Sequence, residues 1–214
     1  MGSPHAKTHG YWAKTPHDLG VPAGKEGTPC PGGPMSSAER SLTRVVGLVF
    51  LLLLVLGPVA LLVVPSAVHV PGDAAATALA LSESDALLRV GVLSEALIAT
   101  SEVVMTVALF LLLRQASPAV ALVSAGARLV MAALQGLGAG LGYALLMASE
   151  ATRLDHGLLL LELREANVAA WQLFFALHCL TLAWLVWRSG RLPRVLGPLM
   201  AAAGLGYLAQ SLVL

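Results

Sequence analysis

The sequence predicts an all-α protein, a polytopic bundle of five transmembrane helices with short interfacial helices in its two external connections. Composition is the first reason: 57% of the 214 residues are hydrophobic and 12% are charged, which is typical of membrane proteins. The second reason is that the apolar residues form runs of about 20 or more, the length that a helix needs to cross a bilayer. The predicted spans are 45–64, 90–113, 119–147, 167–187 and 195–214.

The chain is predicted to have a leading tail and one membrane domain. Residues 1–44 are expected to form a disordered cytoplasmic tail, and residues 45–214 an integral membrane helical domain. The tail is polar and rich in Pro and Gly, so it lacks the apolar surface that would offset the entropy cost of folding. Met35 is an alternative start of the protein, because the ordered pattern begins just after it.

The first span, 45–64, contains the pair Gly57-Pro58, which predicts a kink. If translation starts at Met35, two arginines and this apolar run also resemble a signal peptide that is cleaved after export. The apolar run continues well past Gly57-Pro58, however. A retained span is therefore favoured over a cleaved signal.

Two polar connections are predicted to hold short helices at the membrane surface. In the first, 65–88, Asp73 is placed to cap a helix that begins at Ala74. In the second, 149–166, the apolar run Leu158–Leu161 is predicted to lie flat on the membrane.

The second and third spans carry polar side chains at depths where a bilayer disfavours them. Glu95 and Glu102 lie seven residues apart and share one helix face, and Arg128 and Gln135 share another. Counted from the shared turn at ~1.5 Å per residue, Glu102 lies about 18 Å deep and Arg128 about 15 Å deep. A buried charge needs a partner, so Glu102 is predicted to pair with Arg128. On the same count, Glu95 lies level with Gln135.

The later spans add polar side chains at matching depths. The lower predicted layer holds Glu102, Arg128 and His178, and the upper layer adds glutamines from the last two spans. The complete predicted intramembrane polar cluster is Glu95, Glu102, Arg128, Gln135, Gln172, His178 and Gln210.

Four glycines in the third span predict close packing between helices. They form two overlapping small-xxx-small pairs, which let helix backbones approach each other closely. A phosphate-binding loop is disfavoured, because no strand precedes them. The four positions are Gly136, Gly138, Gly140 and Gly142.

Basic residues predict the orientation. Cytoplasmic loops are enriched in Lys and Arg. The tail, the turn at Arg114 and the connection 188–194 are the basic segments, and five spans place all three on one side. The protein is therefore expected in the cytoplasmic cell membrane, as a multi-pass protein with its N-terminus inside and its C-terminus outside.

No cofactor, metal site or catalytic centre is predicted. His178 adjoins Cys179, but no third residue is placed to orient such a pair for nucleophilic catalysis. Zinc-protease and serine-elbow motifs are absent from the sequence. Nucleic acid is not an expected partner, because no basic patch is interleaved with aromatics.

The chain also resembles a known family. The stretches Arg188–Gly197 and Ala203–Leu208, together with Gly72-Asp73, Glu95 and Ala127–Leu129, resemble an uncharacterised bacterial family of multi-pass membrane proteins, the domain-of-unknown-function family numbered 4386. The similarity covers residues 44–214. Family members often look as though they carry one more hydrophobic segment after this point, so the resemblance implies a helical membrane fold that often has six helices, whereas five spans are predicted here. It implies no reaction or substrate.

Three function classes remain. The favoured one is a non-catalytic membrane component or partner-binding scaffold, which contacts the bilayer and binds a second copy or another membrane protein. The alternative is a small transporter or channel-like protein that uses Glu95 and Glu102 as a proton or cation site. An intramembrane enzyme that modifies lipid is the weakest. Transport requires a wet cavity that reaches both carboxylates. A scaffold requires a sealed core and exposed small residues, and a lipid enzyme requires a polar layer open sideways.

Overall fold

The structure is a computed structural model that describes residues 36–148, 150–190 and 192–213. Most of the predicted tail lies outside these residues. The described secondary structure is helical, and no described residue lies in a strand, which confirms the all-α class. The elements are α1 Ser37–Pro58, a π-helical segment Val59–Val63, α2 Val64–Val68, α3 Ala74–Glu83, α4 Asp85–Leu113, α5 Pro118–Met147, α6 Glu150–Ser189 and α7 Leu196–Val213.

Within the described residues, four helices are long and apolar enough to cross a membrane. They are Ser37–Val68, Asp85–Leu113, Pro118–Met147 and Asp155–Ser189. Helix α7 occupies the position of the fifth predicted span.

Helix α1 begins before the predicted bound at residue 45. Ser36 and Glu39 form a capping box, in which each side chain accepts a hydrogen bond from the other residue's backbone N–H. The helix continues through Pro58 into the π-helical segment and α2. Proline has no N–H to donate and crowds the preceding turn, and a π-bulge is one way for a helix to continue past it. No residue of α1 is buried.

The first polar connection contains a helix of its own. Asp73 caps α3 as predicted, since its Oδ1 accepts a hydrogen bond of 2.9 Å from the N–H of Ala76. Helix α3 then packs against α6.

The second connection is not a separate interfacial helix, and that prediction is wrong. The segment predicted to lie flat, Leu158–Leu161, is part of the 40-residue helix α6. The helix continues through this segment because its apolar side chains pack into the protein interior. Leu161, for example, is buried in an apolar cluster. Arg153 fixes the start of α6: it donates to the last carbonyls of α5, at Leu145 and Leu146, and pairs with Asp85 at 3.1 Å.

The fold is centred on α4, α5 and α6, and α7 packs along α6. Gly204 permits the close approach of α7, because a Cβ there would lie 3.1 Å from the backbone oxygen of Ala176. Two apolar clusters close the ends of the bundle, one around Met105 and Leu185 and the other around Val64 and Leu145. Buried charged and amide side chains lie between them.

Candidate functional site

A buried ion pair joins α4 to α5. Nη2 of Arg128 lies 2.5 Å from Oε2 of Glu102, the partner predicted for it by the depth count. Only 2% of the Arg128 side chain and 6% of the Glu102 side chain are exposed. Such a pair is stable only while both charges are present, because either one alone would be left buried without compensation.

His178 extends this pair to α6. Its Nε2 lies 2.7 Å from Nη1 of Arg128, and its Nδ1 lies 3.1 Å from the backbone oxygen of Ser124. Arginine can only donate, so Nε2 accepts, and the imidazole is neutral with its proton on Nδ1. Glu102, Arg128, His178 and Ser124 therefore form one buried chain of polar contacts across three helices.

The surroundings of this chain are closed. The adjoining cavity measures only about 10 Å³, close to the smallest space that holds one water molecule, and apolar side chains supply most of its lining. Phe175 lies 5.9 Å from the guanidinium carbon of Arg128 and covers it from one side. Glu102 does not line this cavity, and 6% of its side chain is exposed, so the geometry is that of a structural centre.

A second ion pair joins α4 to α6. Arg164 Nη2 contacts Oε1 of Glu95, and 8% and 12% of the two side chains are exposed. The other carboxylate oxygen, Oε2, has no hydrogen-bond partner among the described residues. Glu95 was expected to lie level with Gln135, but its charged partner is Arg164, which the sequence interpretation assigned to a connection.

Glu95 lies at the bottom of a large cavity of about 660 Å³. One wall is apolar and comes from α1 and the π-helical segment, including Leu54, Gly57 and Leu61. The opposite wall comes from α6 and α7. The polar lining residues are His69, Glu95, Arg164, Glu165, Gln172 and Gln210. This volume is in the range of small-molecule sites, which are mostly apolar with a few polar groups.

The two walls of the cavity do not meet. Over the described stretches, no Cα atom of α1 comes within 8 Å of one in α6 or α7, whereas α1 packs against α4. The cavity is therefore a cleft between the first helix and the α6–α7 pair, with Glu95 of α4 as its floor.

A histidine and a glutamate pair at the edge of this cavity. Nδ1 of His69 lies 2.6 Å from Oε1 of Glu165, and both residues contribute to the lining. The His69 side chain is 10% exposed and that of Glu165 is 60% exposed, so the pair lies where the cavity meets the outside. Neither residue was singled out in the sequence.

The predicted cluster thus divides into two sites. Glu95, Gln172 and Gln210 line the large cavity, while Glu102, Arg128 and His178 form the closed centre. Gln135 lines neither the large cavity nor the small one. Its buried Oε1 has no hydrogen-bond partner among the described residues.

The four glycines of α5 also divide into two faces. A Cβ on Gly138 would lie 3.6 Å from Oε2 of Glu95, and a Cβ on Gly142 would lie 2.7 Å from a methyl group of Val92. Gly136 and Gly140 are exposed, and a Cβ there would meet nothing within 4 Å. Gly138 and Gly142 leave room for the Glu95–Arg164 contact where α4, α5 and α6 meet. Gly136 and Gly140 face outward.

This division predicts opposite effects for two substitutions two residues apart. Gly142→Leu should lower the free energy of unfolding by about 1–3 kcal/mol, because the new side chain overlaps Val92. The control, Gly140→Leu, points into open space and should be neutral or stabilising by up to about 1 kcal/mol through helix propensity. Thermal unfolding of the purified variants in detergent measures both. Equal losses would show that the two faces of α5 are wrongly assigned.

Comparison with known proteins identifies a family. No curated protein and no solved structure matches the chain. One family, described as a domain of unknown function (DUF4386), matches residues 45–214, which is well over half of the chain. The match includes α4, α5, α6 and α7, and with them both ion pairs and the cavity. The chain therefore belongs to the DUF4386 family.

Proposed function

We propose that this chain is a multi-pass protein of the cytoplasmic membrane that binds a small amphiphilic molecule in the cavity above Glu95. Five spans are proposed, with α7 as the fifth. Its 18 residues extend about 27 Å at ~1.5 Å per residue, close to the ~30 Å of the hydrocarbon core. The turn at Arg114, the end of α6 at Arg188 and the following connection with Arg194 then lie on the cytoplasmic side, with the N-terminus inside and the C-terminus outside.

The observation that carries the proposal is that the cavity reaches a charged pair. A scaffold needs no space of about 660 Å³ beside Glu95 and Arg164. Charged groups inside a membrane are unfavourable, and they commonly mark the path or the site of a ligand. The arrangement supports a transporter-like or ligand-binding protein over a sealed scaffold. It supports this role for Glu95 only, because Glu102 lies in the closed centre.

The direction of the cleft supports a ligand that comes from the bilayer. In the part of the chain that the structure describes, α1 and α7 are not in contact, so if both cross the membrane as proposed, the gap between them opens to lipid. The wall on this side presents leucines from the first helix, and the charged pair lies further in. An amphiphile can place its chain against the leucines and its head group at Glu95 without crossing the polar interface.

A second candidate, hydrolysis of a lipid, rests on the pair His69–Glu165. A carboxylate that orients an imidazole is the arrangement of a general base, and this one lies at the mouth of the cavity. If this candidate holds, the purified protein releases fatty acid or head group from membrane lipids, and His69→Gln abolishes the release. If the wild type releases neither, the candidate fails.

The scaffold interpretation keeps one favourable observation. Gly136 and Gly140 are exposed and spaced by four residues, as in small-residue helix contacts between membrane proteins. A second copy or another membrane protein could pack there without affecting the cavity. Binding and assembly are therefore compatible proposals on opposite faces.

The test of ligand binding compares two substitutions in one helix. Gly57→Phe places a ring in the cavity, where a Cβ meets nothing within 4 Å. Gly47→Phe is the matched control, since Gly47 has the same open surroundings in α1 but does not line the cavity. Each protein is purified in a mild detergent and its mass is measured under native conditions after the detergent is removed in the gas phase.

We expect a bound small molecule on the wild type and on Gly47→Phe, and its loss from Gly57→Phe. Neither change touches the Glu95–Arg164 pair, so both variants should fold. Equal retention by both variants would contradict binding in this cavity. Absence of any bound molecule from the wild type, with added membrane extract as well as without it, would contradict the proposed function itself.

A further inference from the structure

We infer that the ligand of the cavity is a cationic amphiphile: a single apolar chain with an ammonium head group that carries N–H donors. This inference rests on the proposed function and specifies the chemistry that the site recognises. Charge, hydrogen-bonding capacity and aromatic groups in the lining each point to this head group.

The first argument is the charge of the lining. Glu95 and Glu165 contribute two carboxylates and Arg164 contributes one guanidinium, so acidic groups outnumber arginines in the described lining by one. The one guanidinium is already in contact with Glu95. A cation in the cavity would neutralise the remaining charge, whereas an anion would have to displace Glu95 from Arg164.

The second argument is the kind of hydrogen-bonding group that lacks a partner. Oε2 of Glu95 and Oε1 of Gln172 are buried oxygens with no hydrogen-bond partner among the described residues, and both residues line the cavity. Gln172 is only 5% exposed. Leaving such groups unpaired is costly, and both are acceptors. Both oxygens are fully covered in this structure, so a donor such as a primary ammonium pairs with them once the side chains of Glu95 and Gln172 turn toward the cavity.

The third argument is an aromatic pair in the lining of the same cavity. Trp171 and Tyr207 line the same cavity, and their ring centroids lie 6.4 Å apart. Indole and phenol faces attract a cation that lies within about 6 Å of the ring. The facing wall, with Leu54, Leu61 and Leu62, is apolar and can hold the chain.

The experiment measures binding of three probes with the same chain and different head groups. The probes are dodecylammonium, dodecanol and dodecanoate, and each competes with radiolabelled dodecylammonium for the protein in zwitterionic lipid nanodiscs. Empty nanodiscs correct for partition into lipid. The proteins are the wild type, Glu95→Gln, Glu165→Gln and Gly57→Phe, with Gly47→Phe as the control.

We expect dodecylammonium to bind the wild type at least about tenfold more tightly than the other two probes, as a charge-assisted hydrogen bond would give. Glu95→Gln should remove most of that preference. Glu165→Gln should weaken ammonium binding by about two- to fivefold, since Glu165 is largely exposed. Its exposure also means that this variant should fold even if Glu95→Gln does not. Gly57→Phe should remove all saturable binding, and Gly47→Phe should not.

Two results would overturn the inference in different ways. If dodecanol or dodecanoate binds as well as dodecylammonium, and Gly57→Phe still abolishes binding, the cavity binds amphiphiles but does not select cations. If no probe shows saturable binding to the wild type, the proposed function fails together with the inference.

Discussion

Arg128→Leu is expected to be among the most destabilising substitutions in the protein, with a loss of about 3–5 kcal/mol in the free energy of unfolding. The substitution leaves the carboxylate of Glu102 buried without its counter-charge. It also removes the donor that His178 Nε2 accepts from. Glu102→Gln should be damaging for the reciprocal reason. Thermal and denaturant unfolding in detergent measure the losses.

A double-mutant cycle isolates the interaction between the two residues. The double variant Glu102→Gln with Arg128→Leu removes both charges, so it should recover most of the loss caused by either single change. If the two losses simply add, the residues are not coupled, and the closed centre is not held by this pair.

Arg164→Leu is expected to give the second large effect, with a smaller loss of about 1–3 kcal/mol. Glu95 would lose its counter-charge, but it borders a cavity of about 660 Å³ in which water can hydrate the carboxylate. Glu102 lines neither this cavity nor the small one, and only 6% of its side chain is exposed. The difference between Arg164→Leu and Arg128→Leu, measured by the same unfolding method, therefore reports which pair is accessible. A loss as large as that of Arg128→Leu would mean that Glu95 is sealed as well.

The all-helical class and the contact between Glu102 and Arg128 could be reached from the sequence, because hydropathy and helical rise are local properties. An apolar run long enough to cross a bilayer predicts a helix, and a charge within that run predicts that the charge has a partner. Counting the rise of ~1.5 Å per residue from a short turn then gives the relative depths of residues on the two helices that the turn joins. The same count says nothing about helices that are joined by longer connections.

The pairing of Arg164 with Glu95 was not predicted, because the segment that holds Arg164 was interpreted as a connection and not as part of a helix. The charged composition of residues 149–166 indicated a connection, whereas α6 runs without a break from Glu150 through the rest of that segment. A signal was present: Arg164, Trp171 and His178 follow one another at intervals of seven, so the buried face of α6 extends to Arg164. Extending the buried face of α6 from His178 and Trp171 back to Arg164 would have placed its guanidinium near the upper polar layer, as a partner for Glu95.

The cavity could not be predicted, because it depends on how far apart non-adjacent helices lie. Gly57-Pro58 indicated a kink, but not that the π-helical segment would leave α1 packed on α4 and separated from α6 and α7. Likewise, the glycine pattern of α5 predicted close packing without saying that only Gly138 and Gly142 face inward. Spacing gives the faces of a helix, and only the assembled bundle shows what each face meets.

The central claim is that Glu95 can be reached from the membrane and Glu102 cannot, and a lipid-soluble carbodiimide tests it most directly. Such a reagent partitions into the bilayer and converts accessible carboxyl groups into stable adducts, which peptide mass spectrometry locates. We expect modification of Glu95 in the wild type and in Gly47→Phe, strong protection of Glu95 in Gly57→Phe, and no modification of Glu102. Equal modification of both glutamates, or a Glu95 that stays unmodified while the exposed Glu162 reacts, would contradict the account.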